Sequence, residues 1–482
     1  MNNLNRKTAN ITTKLPIKVV QFGEGNFLRA FVDYIIDRLN TDTGFNAGVA
    51  VVQPLNGGLI PLLNEQDGLY TLFMRGIKKG NIIDENRLIS CIQKAINPYS
   101  DYDGYLALAQ EESLEFLISN TTESGIAYDP SDTGFDSCPS SFPAKVTALL
   151  YKRFQHFNGA SNKGLTIIPC ELINYNAETL KGIILQYAAD WNLGQDFMAW
   201  IEEHNSFHNT LVDRIVPGYP KDDIESYEEK LEYKDKLIVS AEIFLLWVIE
   251  GDEKLLAKIP FNKIDESILV VKDMQPYRNR KVRILNGAHT GFVTVALLHG
   301  NTTVKEAMDD SFMGSFIQKM VYDEIGRVLP MPKSEVDSFS EEVFDRFRNP
   351  FIKHLLASIA LNSLSKFKVR VLPSLLAYSE KYGKLPVNLT FSLACLIRFY
   401  KGDWHGKQLP VQDDPQIVDF FAKIWKSDSY TEISQKVVSN KEFWGSDLSL
   451  TKGLVKAVAD ALQLIDAFGI EEAQKQLSEE MN

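Results

Sequence analysis

The chain contains 482 residues, a length that predicts two or three domains rather than a single core. Its formal net charge of −12 disfavours nucleic acid as a partner, because phosphate binding needs a concentrated basic surface. The four cysteines are far apart and include no CxxC pair, so we expect neither disulfides nor a cysteine-based zinc site. Neither a run of about eighteen apolar residues nor an apolar N-terminal segment occurs, so we expect a cytoplasmic protein with no membrane partner.

The first half of the chain alternates short apolar runs with helical patterns. IKVVQF (Ile17–Phe22) predicts a buried strand, and the following GEGNFLRAFVDYIIDRLN has apolar residues at helical spacing. Further strands are predicted over residues 48–55, 114–122 and 165–173. Runs that are apolar on both faces indicate strands covered on both sides. The pattern therefore predicts an α/β fold that begins with a Rossmann-type, doubly wound sheet.

After Asp273 the pattern becomes almost entirely helical. Amphipathic or buried helices are predicted over residues 288–300, 315–329, 351–372 and 389–402. DMQPYRNR is polar and contains a proline, which is typical of a crossing between domains. We therefore predict two domains, a nucleotide-binding domain over 1–272 and a mostly α-helical domain over 273–482.

Two glycines follow the first predicted strand in VVQFGEGNFLRAF. Gly23 and Gly25 permit a tight turn and a close approach of backbone N–H groups to a pyrophosphate. The full fingerprint has a third glycine where Leu28 stands, and an acidic ribose anchor where Gln53 and Pro54 end the second strand. An ordinary strand–helix turn is therefore the alternative. No arginine follows the second strand either, so nothing indicates a 2′-phosphate, and NAD is favoured over NADP.

The segment KVRILNGAHT places three polar side chains among apolar ones. In an ideal α-helix, Lys281 and Asn286 would point about 140° apart with His289 between them, so all three could face one cavity. The alternative is the end of a core helix with an extended lysine and a hydrogen-bonded histidine.

The spacing of His204 and His208 allows two metal ligands on one helix face. HNSFH lacks the glutamate of a zinc-protease motif, so we interpret it as a surface turn and expect no metal.

Several motifs together resemble the polyol-specific long-chain dehydrogenases, a family that includes the mannitol dehydrogenases. The chain matches the family's G-x-G-x-F-x-R turn, its V-D-R-[IV]-x-[PS] signature and its K-x4-N-x2-H motif. The matches run in family order from about residue 17 to beyond residue 370. The residues concerned are Gly23, Gly25, Phe27 and Arg29; Val212, Asp213, Arg214, Ile215 and Pro217; Lys281, Asn286 and His289; and the blocks QDGLYTL, SNTTE and RFRNP.

This resemblance implies an NAD-dependent enzyme that oxidises a secondary alcohol or reduces the ketone, without a metal. It assigns Lys281 as general acid and base, provided that burial and the neighbouring Arg280 and Arg283 favour its neutral amine. Asn286 would donate to the reacting oxygen, and His289 would bind a neighbouring hydroxyl or orient the lysine.

One position departs from the family pattern. Mannitol dehydrogenases have an asparagine that helps bind the reacting oxygen where this chain has Leu172. Asn174 or Asn176 is then the candidate replacement, with Asn174 the predicted substrate residue.

Among relatives, the sequence is most similar to those that act on sugar acids, which implies a hexuronate or aldonate substrate. Its carboxylate needs a cation, and we predict Arg346 first, with Arg348 and Lys353 behind it, because a guanidinium matches a carboxylate in two hydrogen bonds. The alternative is a cluster of surface cations paired with Glu341, Glu342 and Asp345.

The predicted cofactor residues lie at the ends of two strands. The alternative for the threonines among them is capping of the next helix. The full set is Gly23, Glu24, Gly25, Asn26, Phe27, Arg29, Asn120, Thr121 and Thr122.

Three hypotheses of function remain open at this stage. The first is an NAD-dependent reductase of a sugar acid. The second keeps the fold but changes the sugar, either to another keto-uronate or to a neutral polyol. The third is a nucleotide-binding protein that converts no substrate. Lys281→Ala separates it from the first two, because only an enzyme has an activity that this substitution can abolish. The sequence does not set the oligomeric state.

Overall fold

The computed structural model describes residues 1–481. The chain divides into two compact units. The first contains Met1–Arg75 and Ile82–Met274, and the second contains Gly76–Asn81 and the residues from Gln275 onward.

The first unit is built around a six-stranded parallel sheet with the order β3-β2-β1-β4-β5-β6. This is the order of doubly wound dinucleotide folds, in which ligands bind at the carboxyl ends of the strands where the order reverses. The predicted α/β fold is therefore confirmed. The strands are β1 (Ile17–Phe22), β2 (Gly48–Val52), β3 (Ile92–Ile96), β4 (Phe116–Ser119), β5 (Thr166–Pro169) and β6 (Ser206–Phe207).

The central strands are short and apolar on both faces. Every residue of β2, β4 and β5 is buried, as strands covered on both sides require. The second strand, predicted over residues 48–55, ends earlier, at Val52. Pro54 has no N–H for a sheet hydrogen bond and cannot continue the strand. The segment of His204 and His208 was also misinterpreted as a surface turn. Its Ser206–Phe207 pairs with β5 as the edge strand β6.

The first unit also contains a three-stranded sheet of Thr210–Asp213, Leu246–Glu250 and Ile268–Val271 and a two-stranded sheet of Asn2–Asn3 with Tyr233–Lys234. Another three-stranded sheet contains Tyr70–Lys78, Asn81–Ile89 and Val239–Glu242, and the hairpin residues Gly76–Asn81 are part of the second unit. The sequence patterns did not indicate them. The helices of the first unit are α1 (Asn26–Ala30), α2 (Val32–Thr43), α3 (Ile60–Glu65), α4 (Tyr102–Leu106), α5 (Phe142–His156), α6 (Asn176–Asp190), α7 (Gln195–His204), α8 (Ile224–Glu228) and α9 (Glu253–Lys258).

The second unit is helical, as predicted, apart from a two-residue hairpin, Asp403–Trp404 with Lys407–Gln408. The helix predicted over residues 351–372 is broken, because Asn362 adopts a left-handed conformation at φ +51°. Its helices are α10 (Gln275–Arg280), a π-helix (Lys281–Asn286), α11 (Gly287–His299), α12 (Val304–Asp309), α13 (Ser311–Lys319), a second π-helix (Met320–Ile325), α14 (Lys333–Phe347), α15 (Leu356–Ile359), α16 (Ser363–Arg370), α17 (Leu372–Tyr382), α18 (Val387–Phe399), α19 (Pro415–Ile424), α20 (Tyr430–Val438), α21 (Lys441–Trp444), α22 (Leu454–Phe468) and α23 (Ile470–Met481).

A buried polar cluster lies beneath the glycine turn of the first unit. The side-chain amide of Gln21 donates to the Gly23 carbonyl at 3.1 Å and to Asp33 Oδ2 at 3.3 Å. The Tyr70 hydroxyl lies 3.2 Å from the same Asp33 oxygen. Asp33 is fully buried, and desolvation raises the pKa of its carboxyl group to about 7, although the hydrogen bonds from Gln21 and Tyr70 favour the charged form.

We predict that Asp33→Asn flattens the dependence of stability on pH. The pKa of Asp33 is raised from 3.8 to about 7, so its contribution to stability is complete below pH 3.8 and is lost as pH rises through 7. Between about pH 5 and pH 8 the wild-type chain should therefore lose about 1–3 kcal/mol that the variant keeps. Urea unfolding followed by tryptophan fluorescence at both pH values measures the difference.

Asp42→Asn is the matched control on the same helix. Asp42 is exposed, and hydrogen bonds from Thr41 and Arg38 lower the pKa of its carboxyl group, so its substitution should leave the slope between these pH values unchanged. Parallel stability curves for wild type and Asp33→Asn would contradict the assignment.

Candidate active site

The two glycines of the first turn are required for different reasons. Gly23 adopts φ +117°, and a Cβ at this position would lie 2.8 Å from the Asn120 carbonyl oxygen. Gly25 has φ −66°, which any residue adopts, and within residues 1–481 no atom beyond its own chain neighbours lies within 4 Å of where its Cβ would be. The folded chain thus needs glycine at 23, whereas the open space over Gly25 fits the close approach of a pyrophosphate to the backbone.

Arg29, a predicted cofactor residue, instead holds the turn from inside. It is 2% exposed, and its guanidinium donates to the carbonyls of Glu24 at 3.1 Å and Leu237 at 2.7 Å and to Asn26 Oδ1 at 2.7 Å. Phe27 packs against the core of the unit. Both residues therefore shape the turn. We expect them to affect cofactor binding indirectly, through the backbone conformation of the turn.

The arginine of the VDR motif has a similar structural role. Arg214 is buried and donates to the Glu242 carbonyl at 2.9 Å and to the Ala30 carbonyl at 2.5 Å. Its guanidinium also lies over the Tyr34 ring, 5.1 Å from the centroid. This motif therefore fixes the end of α1 behind the glycine turn.

The segment after β4 borders the glycine turn. The Asn120 side chain donates to the Cys170 carbonyl at 2.7 Å, and both the N–H and hydroxyl of Thr121 lie 3.0 Å from Glu171 Oε1. Thr122 adopts φ +80°, a strained conformation for a β-branched residue and one that clusters at functional sites. The helix-capping alternative is wrong, because the next helix, α5, is capped by Ser141.

Only one of the two candidate asparagines after β5 is exposed. Asn176 is buried, and its side-chain amide donates to the carbonyls of Pro169 at 3.0 Å and Glu171 at 3.1 Å. Asn174 and Leu172 are exposed in the preceding loop, Leu172 at 54%. Asn176 is thus a structural residue, and Asn174 stays the predicted replacement donor.

The KVRILNGAHT segment is not an ideal α-helix. Lys281–Asn286 forms a π-helix, and α11 begins at Gly287. A π-helix closes i→i+5 hydrogen bonds, so five residues span about one turn, and Lys281 and Asn286 lie closer to one face than the predicted 140°. Such turns recur at functional sites. Gly287 is required here, because a Cβ would lie 2.9 Å from the Arg370 carbonyl oxygen.

His289 is a buried, neutral imidazole with an unused acceptor. It is 9% exposed, and burial, followed by the charges of His354, Arg346 and Arg370, lowers its pKa well below the ordinary value. Its ring bonds the Leu285 carbonyl, while Nε2 has no hydrogen-bond partner within residues 1–481. We therefore assign the tautomer with Nδ1–H donating to Leu285 and Nε2 accepting.

Positive charge gathers around this imidazole. The His354 ring lies edge-on to the His289 ring at 5.1 Å, and burial and the charge of Arg346 lower the pKa of His354. Arg370, the last residue of α16, lies close enough to act on His289. The charge of Arg348 acts on Tyr322. The charges of Arg346 and Arg370 therefore act on the predicted catalytic motif at His289, and the charge of Arg348 acts on Tyr322.

Sequence patterns missed His354 and Arg370. His354 follows the RFRNP block in an irregular segment, where periodicity gives no direction for a side chain. Arg370 ends a helix whose packing against Gly287 depends on distant residues. The only local signal was the concentration of basic residues after Arg346.

Metal-binding clusters and membrane-spanning helices are both absent from the described residues. Within residues 1–481, no group of three or more histidine, cysteine, aspartate or glutamate residues could hold a metal ion. In the same part of the chain, no helix is both long and apolar enough to cross a membrane.

Fold and site together define a two-unit oxidoreductase with a Rossmann-type nucleotide-binding unit. The mannitol dehydrogenase Rossmann domain matches residues 17–263, and the mannitol dehydrogenase C-terminal domain matches residues 273–466. The chain belongs to the mannitol dehydrogenase family, which confirms the resemblance inferred from its motifs.

Curated relatives cover almost the whole chain. The altronate oxidoreductase of Yersinia enterocolitica is 46% identical over 95% of this chain and 96% of its own length. That of Enterobacter sp. (strain 638) is 46% identical over 99% of this chain and 100% of its own length.

Solved structures support the fold. D-sorbitol dehydrogenase in substrate-free form superposes with a TM-score of 0.81 at 19% identity, covering 98% of this chain and 99% of its own. Pseudomonas fluorescens mannitol 2-dehydrogenase, in a ternary complex with NAD and D-mannitol, gives 0.64 at 21% identity and covers 99% of both chains.

We predict that Gly25→Ala and Gly23→Ala fail in different ways. The methyl group at 25 fills open space, so the variant should keep its melting temperature but bind NADH about tenfold or more weakly. The methyl group at 23 meets the Asn120 carbonyl in a strained conformation, so that variant should lose about 1–3 kcal/mol of stability. Thermal unfolding and NADH fluorescence titration separate the two effects. Unchanged NADH affinity in a folded Gly25→Ala protein would contradict the assigned cradle.

Proposed function

We propose that this chain is an NAD-dependent altronate oxidoreductase, also called tagaturonate reductase, of hexuronate catabolism. It interconverts D-altronate and NAD⁺ with D-tagaturonate, NADH and a proton. The observation that carries the proposal is the buried His289 acceptor surrounded by Arg346, Arg370 and His354, because a substrate with hydroxyls and a carboxylate complements this set. The curated relatives of nearly equal length carry the same activity in their names.

The first unit would hold the cofactor at the glycine turn and the ends of β1 and β4. The open backbone at Gly25 fits the pyrophosphate, and Gly23 lets the turn lie against Asn120. The bound nicotinamide supplies the hydride donor for reduction and the hydride acceptor for oxidation. Thr121 and Thr122, at the same carboxyl edge of the sheet, are the proposed neighbours of its reactive end.

The K-x4-N-x2-H residues would manage the proton and the charge on the reacting oxygen. Lys281, which is half-buried, would protonate the ketone oxygen in reduction and remove the hydroxyl proton in oxidation. Asn286 would donate an N–H to the same oxygen, where negative charge develops. His289 Nε2 would accept a hydrogen bond from an adjacent substrate hydroxyl, which satisfies its unused lone pair.

The substrate carboxylate would bind beside the imidazole pair. Arg346 acts on both His289 and His354, and Arg370 acts on His289, so a carboxylate there would be favoured by two guanidinium groups. Asn174 is the proposed donor that replaces the family asparagine at Leu172. Arg348, whose charge acts on Tyr322, stays the second choice.

The two proposed functions, cofactor binding and substrate conversion, are assigned to the two predicted domains. We propose residues 1–272 as the NAD-binding domain and residues 273–482 as the domain that carries the substrate and catalytic residues. The partner is a small sugar acid, and the proposed compartment is the cytoplasm.

The first test follows loss of NADH absorbance with D-tagaturonate, D-fructuronate and D-fructose in separate reactions at neutral pH. We expect the most rapid NADH oxidation with D-tagaturonate. The cation set favours a carboxylate over the neutral D-fructose, and the altronate oxidoreductase names of the relatives favour D-tagaturonate over D-fructuronate. Lys281→Ala should lower kcat by at least about 100-fold while NADH affinity stays unchanged. Lys305→Ala, at a lysine of α12 that pairs with Asp309 and whose side chain is 43% exposed, is the control that keeps full activity.

Other outcomes of this assay are informative. A preference for D-fructuronate or D-fructose would keep the family and overturn the substrate assignment. NADH binding with no turnover of any of the three sugars would contradict the altronate oxidoreductase activity.

Arg346→Met and Arg348→Met form a second, matched pair two residues apart. We predict that Arg346→Met raises KM for D-tagaturonate about 10- to 100-fold, because a charge-assisted hydrogen bond to the carboxylate is lost. Arg348→Met should stay within about twofold of wild type. Steady-state kinetics, with thermal unfolding as a check of folding, measure both. Equal effects at both positions would contradict the proposed carboxylate site.

A further inference from the structure

The loop that follows β2 lacks the acidic residue expected in an NAD-binding unit. Residues 53–63, QPLNGGLIPLL, contain no aspartate, glutamate, lysine or arginine. In dinucleotide folds, an acid near the end of the second strand binds the ribose 2′-hydroxyl and excludes a 2′-phosphate. The loop after β2 therefore offers no charged group that could select between the two dinucleotides.

Gln53 occupies the position of the expected acid, but its side chain forms hydrogen bonds within the loop. Its side-chain amide donates to the carbonyls of Leu55 at 2.8 Å and Asn56 at 2.9 Å, and its Oε1 lies 3.4 Å from the Ile60 N–H. Gln53 is only 1% exposed. Its hydrogen-bonding groups are thus used to shape the loop between β2 and α3.

A carboxylate reaches this loop from the glycine turn instead. A Cβ built on Gly58 would lie 2.0 Å from Glu24 Oε1 and 2.5 Å from Gln53 Oε1. Glu24 stands between the two turn glycines, so its backbone belongs to the turn while its carboxylate lies against the loop after β2. The N–H groups of Glu24 and Leu59 favour its charged form. A negative group therefore occupies the region that the missing acid would serve.

The surroundings make this charge effective. Glu24 is 8% exposed, and burial raises the pKa of its carboxyl group, while the nearby Arg29 guanidinium acts in the opposite direction. A charge that is shielded from water is screened weakly and acts strongly on a like charge nearby. A 2′-phosphate brings such a like charge, whereas a 2′-hydroxyl does not.

We propose that the Glu24 carboxylate selects NADH against NADPH in this chain, taking over from the acid that is absent after β2. The inference rests on the proposed function only for the identity of the cofactor. It assigns a specificity role to a residue of the turn, in addition to the backbone contacts that the turn makes with the pyrophosphate.

The test measures the dissociation constants of NADH and NADPH by fluorescence titration at neutral pH and fixed ionic strength. Glu24→Gln keeps the acceptor for the Leu59 N–H but removes the charge, so the preference for NADH should fall on the order of tenfold to 100-fold. Glu24→Asp keeps the charge but shortens the side chain, and it should retain most of the preference. Glu65→Gln, at an exposed acid of α3 paired with Lys236, makes the same charge change away from the turn and should leave the ratio at the wild-type value.

A second substitution tests the proposal independently, in case the Glu24→Gln protein does not fold. Gly58→Ala adds a methyl group where the Glu24 oxygen now lies and should displace the carboxylate, so the preference for NADH should fall there too. The proposal is overturned if wild type binds both dinucleotides equally, or if Glu24→Gln and Gly58→Ala leave the ratio unchanged. Because binding needs no sugar, a selective chain that turns over none of the three sugars would contradict only the proposed function.

Discussion

The backbone contact between the first turn and the fourth strand of the sheet constrains the nucleotide-binding unit. Gly23 lies so close to the Asn120 carbonyl that no side chain fits between them. The other features of the turn follow from this contact. Arg29 and Arg214 hold its carbonyls from within, and Gly25 is left facing open space. The parallel sheet thus creates a place where a ligand can meet backbone rather than side chains.

In the helical unit, the corresponding constraint is a buried imidazole that the protein leaves incompletely bonded. A polar nitrogen without a partner costs free energy, and folded proteins rarely retain one without a reason. His289 Nε2 lies in a region of positive charge, where the imidazole stays neutral. Such a site is arranged to accept a hydrogen bond from a hydroxyl and to attract an anion. This combination supports the proposed preference for a sugar acid over a neutral polyol.

Local patterns predicted some elements well and others poorly. Apolar runs located β1, β4 and β5, because strands buried on both faces need little beyond hydrophobic residues and a following turn. The hairpin of Tyr70–Lys78 with Asn81–Ile89 was not predicted, because its second strand is largely exposed and has no regular alternation of apolar and polar residues. The helix predicted through residue 362 also failed, because the left-handed break at Asn362 has no counterpart in hydrophobic periodicity.

The sequence by itself determined the class of fold, the glycine turn and the motif positions of Lys281, Asn286 and His289. These depend on residue type and short-range spacing, which a linear chain displays directly. Only the tertiary structure decided that Lys281–Asn286 is a π-helix, that Arg346 and Arg370 act on His289, and that Glu24 reaches the loop after β2. Those outcomes depend on which distant backbone packs against each segment. Side-chain direction is set by that packing, and spacing alone does not contain it.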